Sequence, residues 1–414
     1  MQYSTHLLAN SPMLTPRLGP RPLPLHLMMA LNLYTSSNAA LPLLRNGSLN
    51  WSPTLERAGA KFLDALRSQG ADGFAARVER LSRDRLSAFM KGVQVYRDHS
   101  YRRELEDPPV VWTKGSTRLL DYGVERRTRP IIVIPSLINR HYILDLSEER
   151  SFVRWLAGEG FHPFVVDWGT PSQIERSFSV GDYVKRLDHV LDWVGDATDY
   201  PSVSVIGYCM GGMLAMGMSL RNVAKINKLI LLATPWNFHN KGVPYANALA
   251  TLYSVLEPSI KLVEELPSDV LQICFSALDP LLVERKFVSF SEKDPGTPDA
   301  YAFVAIEDWV NDGVPLAASV ARECFYDWYG RNSPAKGEWK VDGHAVNPAF
   351  FDKPTLVVVP ENDRIVPPGS AIALGKTLPQ VTFLEPAAGH VGMVVGRSAE
   401  KTLWKPVAKW LSTR

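Results

Sequence analysis

Short runs of unbroken apolar residues constrain this chain more than anything else in it. Four come early: "PIIVIPSL" (Pro130–Leu137), "FHPFVVDW" (Phe161–Trp168), "VSVIGY" (Val203–Tyr208) and "KLILLATP" (Lys228–Pro235). Two return late: "PTLVVVPE" (Pro354–Glu361) and "QVTFLEP" (Gln380–Pro386). A strand with one wet face alternates apolar and polar residues. A strand that is apolar throughout needs cover on both faces. Helix-like segments such as "SFVRWLAGEG" lie between the runs. The alternation predicts an α/β chain, with a mostly parallel sheet and helices on both of its faces. In such sheets the chemistry gathers at the carboxyl ends of the strands.

Around this core the pattern changes twice. Residues 1–105 read as a helical N-terminal region: Leu55, Ala58, Phe62 and Leu66, then Val78, Leu81, Leu86 and Phe89, recur at helical spacing. Pro108-Pro109 marks its end. Residues 106–235 and 347–414 read as the two parts of the core. Between them, 236–346 is rich in Trp, Tyr, Phe, Pro and acidic residues, and reads as a helical insertion forming a lid over the strand ends.

The bulk numbers exclude several classes. The chain has 414 residues and a net charge of +2, with no whole-chain signature of nucleic-acid binding. Its three cysteines, Cys209, Cys274 and Cys324, are too few and scattered for a disulfide framework and suit a reducing, cytoplasmic setting. The N-terminus does not read as a signal peptide. Pro22–Leu44 carries no Asp, Glu, Lys or Arg, but Pro22, Pro24 and Pro42 interrupt it, so no transmembrane span is expected. It reads as a helix docked on the rest of the chain, or as a segment resting on a lipid or polymer surface or on a partner chain. There is no H-E-x-x-H, C-x-x-C, P-loop or G-x-G-x-x-G pattern. The expected reaction needs no metal and no bound cofactor.

The chemistry is concentrated in "VIGYCMGG" (Val205–Gly212). A strand, then G-x-nucleophile-x-G, then a helix, is the arrangement that presents a nucleophile on a sharp turn. Here the nucleophile is Cys209. A thiol at a helix N-terminus is favoured as thiolate. Its partners are expected downstream, acid before histidine. "VVVPENDRIVPP" supplies Asp363 and "FLEPAAGHVGMVVG" supplies His390, each in a loop after a strand. Asp279 in "FSALDPLL" is a rival acid. An oxyanion hole would combine the N–H of Met210 with one from the "PSLIN" loop, taken as that of Leu137. Cys274 and Cys324 read as packing residues, and Arg140 as a positive group for an anionic substrate or as one half of a local ion pair.

The ordered motifs resemble the polyhydroxyalkanoate synthase family of the α/β-hydrolase superfamily. "VIPSLINRHYILDL", "SFVRWLAGEGFHPFVVDWGTP", "GYCMGG", "NDRIVPP" and "GHVGMVVG" carry the likeness. Arg364 departs from it, standing where many such synthases have histidine. The resemblance implies polymerisation of (R)-3-hydroxyacyl-CoA with release of CoA. Cys209 would hold the growing acyl chain, His390 would activate the thiol, and Asp363 would assist the histidine or the substrate 3-hydroxyl. It also implies association with polymer granules and homodimerisation, with an accessory subunit as a further partner. Two other readings stay open. One is a hydrolase of this fold, either an intracellular polyhydroxyalkanoate depolymerase or an acyl-CoA thioesterase. The other is a non-catalytic granule protein.

Overall fold

The computed structural model describes residues 17–123 and 129–413. The N-terminal stretch read above as lacking a signal peptide begins outside them. Among the described residues two compact units emerge, one of residues 17–101 with 279–311, the other of residues 102–123, 129–278 and 312–413. The segment read as one insertion, 236–346, is thus divided between the units.

The first unit is helical. Helices Glu56–Gln69 and Ala71–Asp98 cover the two stretches whose apolar residues recur at helical spacing. Helix Leu23–Ala39 buries His26, Ala30 and Tyr34. Its core joins Ala30 and Tyr34 to Phe89, Val93 and Tyr96, and to Phe287, Phe290, Ala300 and Val304 from helices Leu282–Phe290 and Pro298–Asn311. Inside it Glu284 is buried but accepts from Arg85 and from the Tyr34 hydroxyl, so its charge is compensated. Among the described residues no helix is long and apolar enough to cross a membrane.

The second unit is built on an eight-stranded sheet. Its strands are β1 (Val110–Lys114), β2 (Thr117–Asp121), β3 (Arg129–Ile134), β4 (Phe161–Asp167), β5 (Val203–Tyr208), β6 (Ile226–Leu232), β7 (Thr355–Val358) and β8 (Val381–Leu384). The order is β1-β2-β4-β3-β5-β6-β7-β8. All pairings from β4 to β8 are parallel, and β2 joins β4 antiparallel. The six apolar runs are the six parallel strands. Ile131, Ile132, Val133 and Ile134 of β3 are wholly buried, as are Val205 and Ile206 of β5. Each such side chain contributes roughly 1.5–3 kcal/mol of transfer free energy. The β1–β2 hairpin was not anticipated. Its mixed sequence "VVWTKGSTRLLD" leaves Val110 half exposed at the sheet edge.

Helices Val180–Thr198 and Met210–Arg221 pack into the same core as the sheet. Ser179 starts the first of them with a capping box, accepting from Asp182 N–H while the Asp182 carboxylate accepts from Ser179 N–H. Over the strand ends lie helices Val243–Val263 and Ser268–Ser276, with Ala318–Arg322 running on into a π-helical stretch, Glu323–Gly330.

Candidate active site

The site grows from the end of β5. Cys209 has φ 56° and ψ −126°, a conformation few residues other than glycine adopt. Its N–H donates to the Leu232 carbonyl (2.9 Å) and its carbonyl accepts from Gly212 N–H (2.9 Å), so the turn is fixed on both sides. The neighbouring glycines exist for space. A Cβ on Gly207 would sit 2.5 Å from the Gly212 Cα. A Cβ on Gly211 would run into the carbonyls of Ile134 and Pro135, and one on Gly212 into Thr234. The loop after β3 therefore passes directly against the turn.

Met210 is the first residue of the following helix, so its N–H is among the donors that an α-helix leaves unpaired. It lines one cavity with Cys209. The Leu137 side chain is buried in the core, and its neighbour Ile138 is the residue of that loop lining the cavity.

His390 and Asp363 arrive from the loops after β8 and β7. The His390 Nδ1 pairs with Asp363 Oδ2 at 2.7 Å. The other carboxylate oxygen of Asp363 accepts from Ile365 N–H and Val366 N–H, both at 2.8 Å. The aspartate is held at both ends, and it anchors the imidazole at Nδ1. The Cys209 sulfur lies near enough to the same imidazole to act on its charge. Burial disfavours a charged His390. The Cys209 sulfur and the Asp363 carboxylate outweigh it, through charge and hydrogen bonds, and push the imidazole up to about 10. All three partners are shielded: His390 is 8% and Asp363 5% exposed, and Cys209 is half-buried. The rival acid Asp279 belongs to the other unit, where it pairs with Arg285 at 2.7 Å.

The cavity has a volume of about 110 Å³ and mainly apolar walls. Leu249, Leu271, Phe275, Leu278 and Phe325 supply apolar lining; Asn237, Asn240, Lys241 and Ser370 add polar groups. Cys274 and Cys324, read as packing residues, line it as well. Burial pushes the Cys274 thiol up to about 11 and raises that of Cys324 too, so both are neutral walls at ordinary pH. Arg140 is not among the lining residues. It pairs with Asp312 (3.5 Å) and donates to Thr170 (2.9 Å). The cation on the cavity wall is Lys241, whose Nζ donates to the Arg364 carbonyl and whose charge is felt by Asp363. Sequence reading missed it. The available signal was its place in the loop beyond the carboxyl end of β6, where such sheets bind ligands.

The strand order and the strained turn after β5 define the α/β-hydrolase fold. A sequence model described as the α/β hydrolase fold matches residues 129–396. Two proteins named poly(3-hydroxyalkanoate) polymerase subunit PhaC are each 30% identical to the chain. The one from Haloarcula marismortui aligns with 74% of this chain and 67% of its own length, that from Haloferax mediterranei with 74% and 63%. The poly(3-hydroxyalkanoate) polymerase of Methylorubrum extorquens is 26% identical over 91% of this chain and 61% of its own length. The chain belongs to the polyhydroxyalkanoate synthase family.

Proposed function

We propose that the protein is an acyltransferase that polymerises (R)-3-hydroxyacyl-CoA through a thioester on Cys209. The Cys209 sulfur attacks the substrate thioester carbonyl, the C–S bond to CoA breaks, and CoA leaves as its thiolate. The thiol proton goes to His390 and on to the departing sulfur. The 3-hydroxyl of a second unit then attacks the Cys209 thioester. His390 takes the hydroxyl proton and returns it to the Cys209 sulfur, and an ester bond has formed. Asp363 keeps the imidazole in the orientation both half-reactions need. Met210 N–H, with an N–H of the Leu137–Ile138 loop, would hold the developing oxyanion.

Cysteine suits this chemistry. Exchange between two thioesters is nearly balanced in free energy, so the acyl group stays activated on the enzyme. The apolar cavity suits an acyl chain and excludes water that would hydrolyse it. Lys241 takes the role expected of Arg140, offering a positive charge to the phosphates of CoA at the cavity mouth. Soluble reduced cytoplasm, granule association and homodimerisation, with or without an accessory subunit, belong to the same reading.

The observation that carries it is the His390–Asp363 hydrogen bond beside Cys209, with Cys209 itself on the wall of that cavity. The test is intact-protein mass spectrometry after exposure to 3-hydroxybutyryl-CoA, with CoA release and polymer followed together. An acyl mass on Cys209 with polymer growth supports the reading. Release of free 3-hydroxybutyrate without polymer replaces it with the hydrolase, and no turnover with an unmodified Cys209 rejects both.

A further inference from the structure

His390 sits between two strand-end loops, and hydrogen bonds from its ring fix only part of its pose. The Nδ1–Asp363 bond leaves the imidazole free to swing about the line joining them. A second contact removes that freedom. The Tyr208 ring stacks on the imidazole, with centroids 5.2 Å apart and planes 28° from parallel. The Tyr208 hydroxyl donates to the main-chain carbonyl of His390 itself, at 3.2 Å. One side chain thus holds both the ring and the backbone of the same residue. It comes from the position directly before Cys209, so imidazole and sulfur are referenced to a single point on β5. Tyr208 is 3% exposed, and burial, with the nearby Cys209 and Asp363 charges, raises its phenol well above the ordinary value. It therefore stays neutral: a hydrogen-bond donor with an electron-rich face.

We propose that Tyr208 is a positioning residue for the acyl-transfer step, clamping His390 against Cys209 and supporting the charged imidazolium through its ring. The proposal rests on Cys209 and His390 forming the reactive pair. The titratable groups around His390 are Cys209, Asp363 and Tyr208, with Lys241 beyond Asp363. Of these, Tyr208 alone contributes a π-face, and a cation over such a face is stabilised.

The experiment measures iodoacetamide capture of Cys209 in the full chain from pH 5 to pH 11, in the wild type and in Tyr208→Phe, Tyr208→Leu and His390→Ala. Alkylation reads the sulfur–imidazole pair without any acyl-CoA. Tyr208→Phe keeps the face and loses only the hydroxyl bond, so it is expected to cost roughly two- to threefold with the upper inflection in place. Tyr208→Leu loses both and is expected to lower the upper inflection by about half a unit to one unit. A buried residue with a merely structural part would alter yield or melting and leave the inflection where it was. A Tyr208→Leu profile with the wild-type inflection overturns the proposal. If Tyr208→Leu does not fold, Tyr208→Met, which adapts to irregular gaps, replaces it under the same criterion. If His390→Ala itself leaves capture at pH 7 unchanged, the reactive pair is wrong and the failure lies there, not with Tyr208.

Discussion

The two walls of the cavity are made differently. The wall at the strand ends is held by backbone: Cys209 locked by two main-chain hydrogen bonds, three glycines in contact too close for a Cβ, and Asp363 tied by two N–H groups. The opposite wall is held by side-chain packing. Tyr253 stacks on Phe325 at 5.3 Å, and Phe238 meets Tyr329 at 4.9 Å and Trp328 at 5.7 Å. That wall includes a π-helical stretch, a form common at functional sites. Main-chain contacts define positions to a fraction of an ångström, whereas apolar packing tolerates volume-conserving exchange. On the proposed reading, the contrast assigns chemistry to the rigid wall and acyl shape to the adaptable one.

Four substitutions test that division. Cys209→Ala should abolish the acyl mass on the protein entirely. His390→Ala should slow single-turnover acylation at pH 7 by about 10³-fold. Its pH dependence has a definite sign. The folded imidazole is raised to about 10, so its positive charge persists below that and is lost above it. The alkylation rates of wild type and His390→Ala should differ most near neutrality and converge above about pH 10. Gly211→Ala places a methyl against the Ile134 and Pro135 carbonyls; urea unfolding should show a loss of about 3 kcal/mol, with acylation about a hundredfold slower. On the adaptable wall, Leu278→Ala should change the preference between four- and six-carbon acyl thioesters by about tenfold. Its cost in stability should stay below about 1.5 kcal/mol, because Leu278 is only partly buried. A Leu278→Ala enzyme with lost acylation and unchanged preference would break the division.

The rigid wall is also the part that could be read from sequence. Buried parallel strands have a distinctive composition, and the turn at Cys209 requires glycines that no other role explains so well. The acid and histidine follow in order because each closes a strand of the same sheet. The rest depends on tertiary partners that spacing does not encode. The β1–β2 hairpin is an edge, half wet, and carries no continuous apolar signal. Arg140 and Lys241 are both cations in strand-end loops. Asp312, distant in sequence, claims the first, and only the second lines the cavity. Cys274 and Cys324 lie in helices whose apolar faces look the same whether they meet a core or a cavity. The segment 279–311 leaves its flanks to join the N-terminal helices, a choice made by packing in the first unit.

The backbone at residue 209 carries a further consequence. A φ of 56° with ψ −126° costs an ordinary L-residue about 1–3 kcal/mol and costs glycine far less. A version of this protein with glycine at that position would therefore outlast the working enzyme under heat or denaturant. Durability and reactivity are set against each other at one pair of torsion angles, and this chain has settled on the side of reactivity.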